Sequence, residues 1–311
     1  MTRRSIDVLG LGVVAVDEVL YVDEYPAADR KAPVREWIRR CGGLTAIALQ
    51  AAAQMGSRVA YAGCLGTDRL SREAIRLLRE AGVGTVHLVR RPEAGPYHSV
   101  VLVDRARGTR NIFFDSRTPG GAHPTSPPDE VIRSARVLLV DGHGLEGMVR
   151  AASIARGYGV AVVGDLENPE ARREAEALLP LVDHLVLSLA VGQRLTGETD
   201  PNAVAHALWG EGRHAVVLTD GANGTWFISS ERQNHLSHQP AFPVDAVDTT
   251  GCGDVFHGVY AHGMAHGWGI HSAIRTASAA GAAMAARSGT AHVPPSHEIV
   301  ERMLSTQNLE G

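Results

Sequence analysis

Short runs of β-branched residues and leucine, separated by stretches with helical spacing, constrain this chain more than any other feature. The runs at 137–140, 160–163, 185–187 and 215–218 are each too short for a helix, and their composition reads as buried strand. Helices are expected between them at 145–156, 169–179 and 202–209. Such strand–helix alternation closes into a parallel sheet covered by helices on both faces. Two similar runs, 6–11 and 58–62, flank a helix at 44–54 that Gly56 stops, and a helix at 69–80 is closed by Gly82. Segments 254–266 and 271–287 read as the last two long helices, and 225–228 as an antiparallel strand. The expected fold class is α/β, a three-layer α/β/α sandwich around a central, mostly parallel sheet.

A different pattern interrupts this alternation. Segments 99–103 and 111–114 alternate around a turn at 104–108, which is a hairpin signal. With 19–22 and 34–38 they are expected to form a small four-stranded sheet that acts as a lid, its strands drawn from about 17–40 and 97–115. Segments 63–68 and 116–128 read as loops. No repeat, low-complexity tract or linker divides the chain, so residues 1–311 are expected to form one domain.

A net charge of −4 supplies no basic field for nucleic acid or an anionic membrane, and neither partner is expected. Three cysteines, Cys41, Cys64 and Cys252, form neither a C-x-x-C pair nor an even set, which fits the reducing cytoplasm. Arg3-Arg4 precedes an apolar run, but Asp7 interrupts its approach and Asp17-Glu18 follow it at once, so a buried first strand is expected rather than a signal peptide. Gly10-x-Gly12-x-x-Ala15 matches a dinucleotide fingerprint, yet an extended segment follows where that fingerprint needs a helix, which disfavours a nicotinamide cofactor.

The chemistry concentrates at 245–254, Asp-Ala-Val-Asp-Thr-Thr-Gly-Cys-Gly-Asp, followed by small and apolar residues. Thr, Gly and Asp favour turns and caps, so this is a glycine loop feeding a helix N-terminus. Such an end offers unpaired N–H groups and the positive end of the helix dipole, and so binds phosphate. Gly251 and Gly253 let the backbone approach the anion. Asp254 would repel a phosphate unless it takes a proton from the group attacking it; the bland reading is a helix cap. His262 and His266 stand four apart, which is also metal-ligand spacing, but without a third ligand they are read as an exposed face.

The stretch Val247-Asp-Thr-Thr-Gly-x-Gly-Asp254-x-Phe-x-Gly258 resembles the signature of the ribokinase-like (PfkB) carbohydrate kinases. The likeness extends over nearly the whole chain. Gly10, Gly12 and Asp17 match the sugar-contacting first strand, Gly42-Gly43 the di-glycine before the first helix, and Gly66 with Asp68 the following G-x-D. Thr219-Asp-Gly221-Ala-Asn-Gly224 resembles the nucleotide loop, and Arg287-Ser-Gly289-Thr290 the late loop near the adenine. Segments 108–112, 185–188 and 247–251 look most like the ketohexokinase and sulfofructose kinase subgroup. The resemblance implies an ATP-dependent kinase that phosphorylates a hydroxyl of a ketose or related sugar, with Mg²⁺, K⁺ as a further candidate, and a homodimer formed through the lid.

It also implies roles. Asp254 would be the general base, with Gly251, Cys252 and Gly253 in the anion hole. Asp17, Gly42, Gly43, Lys31, Arg110 and Asp248 would meet the sugar, although exposed charges such as Lys31 and Arg110 commonly serve solubility. Ser188, Thr219, Gly221, Gly224, Thr249 and Gly289 would meet the nucleotide. The chain departs from the pattern at Ile47, where many members have a sugar-binding Asn, and at Ser188 and Val191, where many have N-x-x-E, so its metal ligands are unknown. Cys252 replaces the usual Ala, and His143 stands where sulfofructose kinases tend to carry Arg. A nucleoside kinase on the same fold and a non-catalytic sugar- or nucleotide-binding regulator are the alternatives.

Overall fold

A computed structural model describes residues 4–107, 109–116, 120–166, 176–232, 235–287 and 293–307. Its central sheet has eight strands: β1 (Ile6–Gly10), β4 (Val59–Tyr61), β9 (Ala135–Val140), β10 (Ala161–Asp165), β11 (His184–Ser188), β12 (Ala215–Thr219), β13 (Thr225–Ser229) and β14 (Ser237–Gln239). The order across the sheet is β14-β13-β12-β11-β10-β9-β1-β4. β4 through β12 are parallel neighbours, and β13 and β14 add an antiparallel edge.

The strands are apolar on both faces because both faces are covered. Val137, Leu139, Val163, Val186 and Val217 pack on one side with helices α1 (Leu44–Gln54), α2 (Arg69–Glu80), α7 (Cys252–Ala265) and α8 (Ile270–Ala285). Leu138, Val140, Val162, Leu185 and Leu218 alternate with them and pack with α4 (Leu145–Gly157), α5 (Leu189–Thr196) and α6 (Pro201–Ala207). Short α3 (Asp129–Arg133) and C-terminal α9 (His297–Gln307) complete the helices of the described residues. Most of the helix expected at 169–179, and the turn residue Gly108, lie outside the described residues.

The second sheet has four strands, β3 (Glu36–Gly42), β2 (Ala15–Val22), β7 (Tyr97–Asp104) and β8 (Thr109–Asp115), in that order. Its register decides which side chains share a face. Asp17 lies opposite Arg40 and Ser99, and Ser99 opposite Phe114; Tyr21 lies opposite Glu36 and Val103, and Val103 opposite Arg110. Directly opposed residues point to the same side, so one face carries Asp17, Arg40, Ser99 and Arg110. The other carries Trp37 and Phe113, which are 66% and 58% exposed.

Two expectations are corrected. Segment 63–68 is not all loop: Cys64–Leu65 forms β5, which pairs with β6, Val89–Arg90, because the Val89 and Arg91 amides reach the Gly63 and Leu65 carbonyls. His262 is not on an exposed face. It is buried, its Nδ1 lies 2.8 Å from Ser57 Oγ, and burial, followed by the charge of His266, pushes its ring down to about 4. The turn after α1 folds over this part of α7, which helical spacing alone does not reveal.

Buried Asp7 at the start of β1 is held by Arg58 Nη2 at 2.8 Å, Arg58 Nε at 3.0 Å and the Arg58 amide at 2.9 Å. The Arg58 side-chain bonds hold its carboxyl down at about 2, against an ordinary value of 3.8, over the opposing effect of burial. A lowered folded-state value means the pair stabilises the fold above about pH 4 and loses that effect as pH falls toward 2. Arg58 is half in water, which weakens the pair. Asp7→Asn is expected to cost about 1–2 kcal/mol at pH 7 in urea unfolding. The same cost at pH 2 would contradict this account.

Candidate active site

The carboxyl ends of β1, β9, β10, β11 and β12 open on one edge of the sheet. The chain order reverses between β1 and β9, the place where open α/β sheets bind ligands. The loop before α7 lies at this edge, tethered by the Val247 and Asp248 amides, which donate to Ala285 O at 2.8 and 3.2 Å.

Within the loop, Asp248 Oδ1 accepts from the Thr250 amide at 2.8 Å and from Thr250 Oγ1 at 2.6 Å, closing an Asx turn. Gly251 caps α7 with φ +77°, a conformation that suits glycine. Intrahelical bonding begins with the Val255 amide donating to Gly251 O at 2.9 Å, so the first-turn amides precede it; that of Cys252 turns back to Thr249 O at 3.3 Å. Asp254 is half-buried in this first turn. A β-carbon on Gly251 would lie 3.6 Å from Ile47 Cδ1 and 3.9 Å from Asp254 Oδ2, so an apolar side chain borders the glycine loop. Burial first, then the charges of Asp248 and Asp254, push the Cys252 thiol up to about 12. It stays protonated at neutral pH and is a poor nucleophile.

Facing this loop is the side of the small sheet that carries Asp17, Arg40, Ser99 and Arg110 among apolar Val19, Tyr21 and Val101. Asp17 is buried, with Ser99 Oγ donating at 2.5 Å and Arg40 Nε 3.4 Å away. A β-carbon on Gly42 would stand 2.2 Å from Asp17 Oδ2, so only glycine lets β3 pass there. Gly43 caps α1 at φ +94°. Arg110 Nη1 lies 3.7 Å from Asp248 Oδ1, joining the small sheet to the loop before α7 and bringing together two residues far apart in sequence. Lys31 is exposed in the loop between β2 and β3, outside both strands.

Sequence reasoning missed Asp141 as the hub of this edge. It is buried just past β9 and accepts from the Val13 amide at 2.6 Å, Thr45 Oγ1 at 2.8 Å and the His143 amide at 3.0 Å, with His143 Nδ1 at 3.2 Å. Burial pushes its carboxyl up, and the His143 ring with these amides outweighs that and holds it below the usual range. Burial alone would lower the His143 ring, but the Asp141 carboxylate holds it above its ordinary value. Gly12 exists for the same hub, since its β-carbon would fall 1.9 Å from Asp141 Oδ2. A position past a strand's carboxyl end was the available signal for Asp141.

Four more predicted residues, Ser188, Thr219, Gly221 and Gly224, lie at the ends of β11 and β12. Ser188 and Thr219 lie opposite each other at the ends of these strands. Ser188 Oγ caps α5 by accepting from the Val191 amide at 3.3 Å, and Thr219 Oγ1 donates to Leu187 O at 3.4 Å. Gly221 and Gly224 take φ +52° and +92° around a short 3₁₀ turn, and nothing lies within 4 Å of a β-carbon on Gly221. Thr249 is exposed beside Asp248, and Gly289 lies outside the described residues. Glycine loops and a helix N-terminus fit a polyphosphate. The described residues include no group of three or more His, Cys, Asp or Glu that could hold a metal. Mg²⁺ needs no such cage, because it is commonly held through nucleotide phosphates, waters and one or two carboxylates.

Residues 6–297 match the model of the pfkB family of carbohydrate kinases. A Staphylococcus aureus ribokinase is 26% identical over 263 residues, covering 80% of this chain and 83% of its own. A candidate ribokinase from Agrobacterium tumefaciens superposes with a TM-score of 0.88 at 27% identity, over 98% of this chain and 99% of its own. The Arabidopsis thaliana ribokinase complexed with ribose and ATP shares the fold, with a TM-score of 0.77 at 22% identity over 96% of this chain and 98% of its own. The match spans both sheets and the loop that carries Asp254, and on it the chain belongs to the pfkB family of carbohydrate kinases, phosphotransferases with an alcohol group as acceptor.

Proposed function

We propose that this chain transfers the γ-phosphoryl group of ATP to a hydroxyl of a ketose or related sugar, with Asp254 as the general base. The observation that carries this reading is Asp254 in the first turn of α7, beside Gly251, with Arg110 reaching Asp248 from the small sheet. Asp17, positioned by Ser99 and Arg40, and Gly43 meet sugar hydroxyls. Asp254 accepts the proton of the attacking hydroxyl. The amides of Gly251, Gly253 and Asp254 stabilise charge on the transferring group, and that of Cys252 joins them only when its bond to Thr249 opens. Ser188, Thr219, Gly221, Gly224, Thr249 and Gly289 seat the nucleotide. Mg²⁺, when bound, supplies charge neutralisation between the phosphates.

The small sheet serves as the lid of a single domain, excluding water over the sugar. Its outward face, with Trp37 and Phe113 exposed, supports a homodimer through the lid; a monomer in light scattering would remove that part of the proposal. Three free cysteines support a cytoplasmic location, and recovery from a secreted fraction would overturn it. No helix of the described residues is long and apolar enough to cross a membrane.

A coupled ADP-release assay tests the function, with fructose, ribose, tagatose, 2-keto-3-deoxygluconate, fructose phosphates, sulfofructose and nucleosides, each with Mg²⁺-ATP and with and without K⁺. Turnover on one sugar establishes the substrate and decides the ketohexokinase and sulfofructose kinase subgroup. Turnover on nucleosides alone replaces the sugar with a nucleoside. Nucleotide binding with no turnover on any acceptor favours a regulator.

A further inference from the structure

His257 lies three residues beyond Asp254 on α7 and is 2% exposed. Its Nδ1 is 2.7 Å from Gly253 O and 3.3 Å from Asp165 Oδ2, and its Nε2 is 3.0 Å from Val186 O. Carbonyl oxygens only accept, so each ring nitrogen must donate to satisfy its neighbour. A neutral ring would leave one nitrogen lone pair against a carbonyl oxygen in a buried site, which is costly. The imidazolium form removes that conflict, and Asp165, also 2% exposed, supplies the compensating charge.

We infer that His257 is a buried imidazolium, countered by Asp165, that polarises the peptide joining Gly253 to Asp254. Gly253 O, which receives the His257 donor, belongs to the peptide whose N–H is the Asp254 amide. Drawing electron density toward that oxygen makes the N–H a stronger donor at the helix N-terminus, because linked hydrogen bonds polarise one another. Through Asp165 on β10 and Val186 on β11, the same ring ties the first turn of α7 to two central strands. His257 and Asp165 are positioning residues that act through the Asp254 amide. This rests on the kinase reading only for its kinetic consequence.

Histidine-selective ¹⁵N NMR of the full chain, with the His257 signals identified by their loss in His257→Asn, is expected to show protons on both ring nitrogens at neutral pH. One unprotonated nitrogen overturns the inference, and this result does not depend on turnover. Losing a whole oxyanion donor costs about 10²–10³ in kcat. Weakening one is expected to cost about tenfold. His257→Leu is therefore expected to lower kcat about tenfold, with KM for ATP and sugar within about twofold. If His257→Leu does not fold, the paired His257→Asn/Asp165→Asn variant, which keeps an N–H donor near Gly253 O without a buried charge, carries the kinetic arm. It is expected to retain more of kcat than Asp165→Asn alone, which removes the counter-charge. Unchanged kcat in His257→Leu, or equal kcat in the pair and Asp165→Asn, overturns the role. If no acceptor is turned over by the wild type, the kinase reading fails while the NMR result still decides the charge of the ring.

Discussion

Asp254→Asn is expected to lower kcat about 10²–10⁴-fold while leaving KM for sugar and ATP near wild type. Asparagine keeps the volume and shape of the side chain but cannot accept the hydroxyl proton at neutral pH. Binding is largely spared, because the Asp248–Thr250 turn and the Arg110–Asp248 contact run through Asp248 and not through this side chain. Stability changes little: a carboxylate near a helix N-terminus contributes about 0.3–1 kcal/mol through the dipole, and losing it shifts the melting temperature by a few degrees at most. Steady-state kinetics and a melting curve together separate the roles. A kcat within threefold of wild type would rule Asp254 out as the base. A raised KM with unchanged kcat would make it a sugar ligand instead.

Gly258→Ala sets two opposed effects against each other. In a helix interior alanine is favoured over glycine by about 1 kcal/mol, so propensity alone predicts a more stable α7. The structure predicts the reverse. A β-carbon at Gly258 would stand 2.1 Å from the Ala48 carbonyl oxygen of α1 and 2.8 Å from Ala51 Cβ. The first is backbone and cannot rotate away, so the helices must separate. Overpacking of this kind costs about 1–3 kcal/mol and occasionally more, which outweighs the propensity gain. The variant is expected to be less stable by roughly 2 kcal/mol in urea, and to lose activity as well, because α7 carries Asp254 and α1 carries Ile47 against Gly251. A variant as stable as wild type would show that α1 and α7 part without cost.

Much of the fold is legible in the sequence because its cause is local. The bounds expected for α1 and α2, 44–54 and 69–80, are those observed, since glycines and the Asp68 cap that accepts from the Ser71 amide terminate them within a few residues. The four strands of the small sheet were expected for similarly local reasons: β-branched residues at 19–22, partial alternation at 34–38, and two runs around a turn at 99–103 and 111–114. β5, β6 and α5 were not, because two-residue strands and an eight-residue helix carry too little periodicity to register.

By itself the sequence determined the parallel sheet, the glycine loop feeding α7 and the presence of Asp254 at its head. These follow from residue type and spacing over a dozen positions. Only the tertiary structure decided which distant side chains meet: Arg110 with Asp248, Asp141 with Val13, Thr45 and His143, and His257 with Asp165. Those contacts depend on strand register and helix crossing. Both are set by packing between elements distant in sequence, where a one-residue slip of a strand reverses every face.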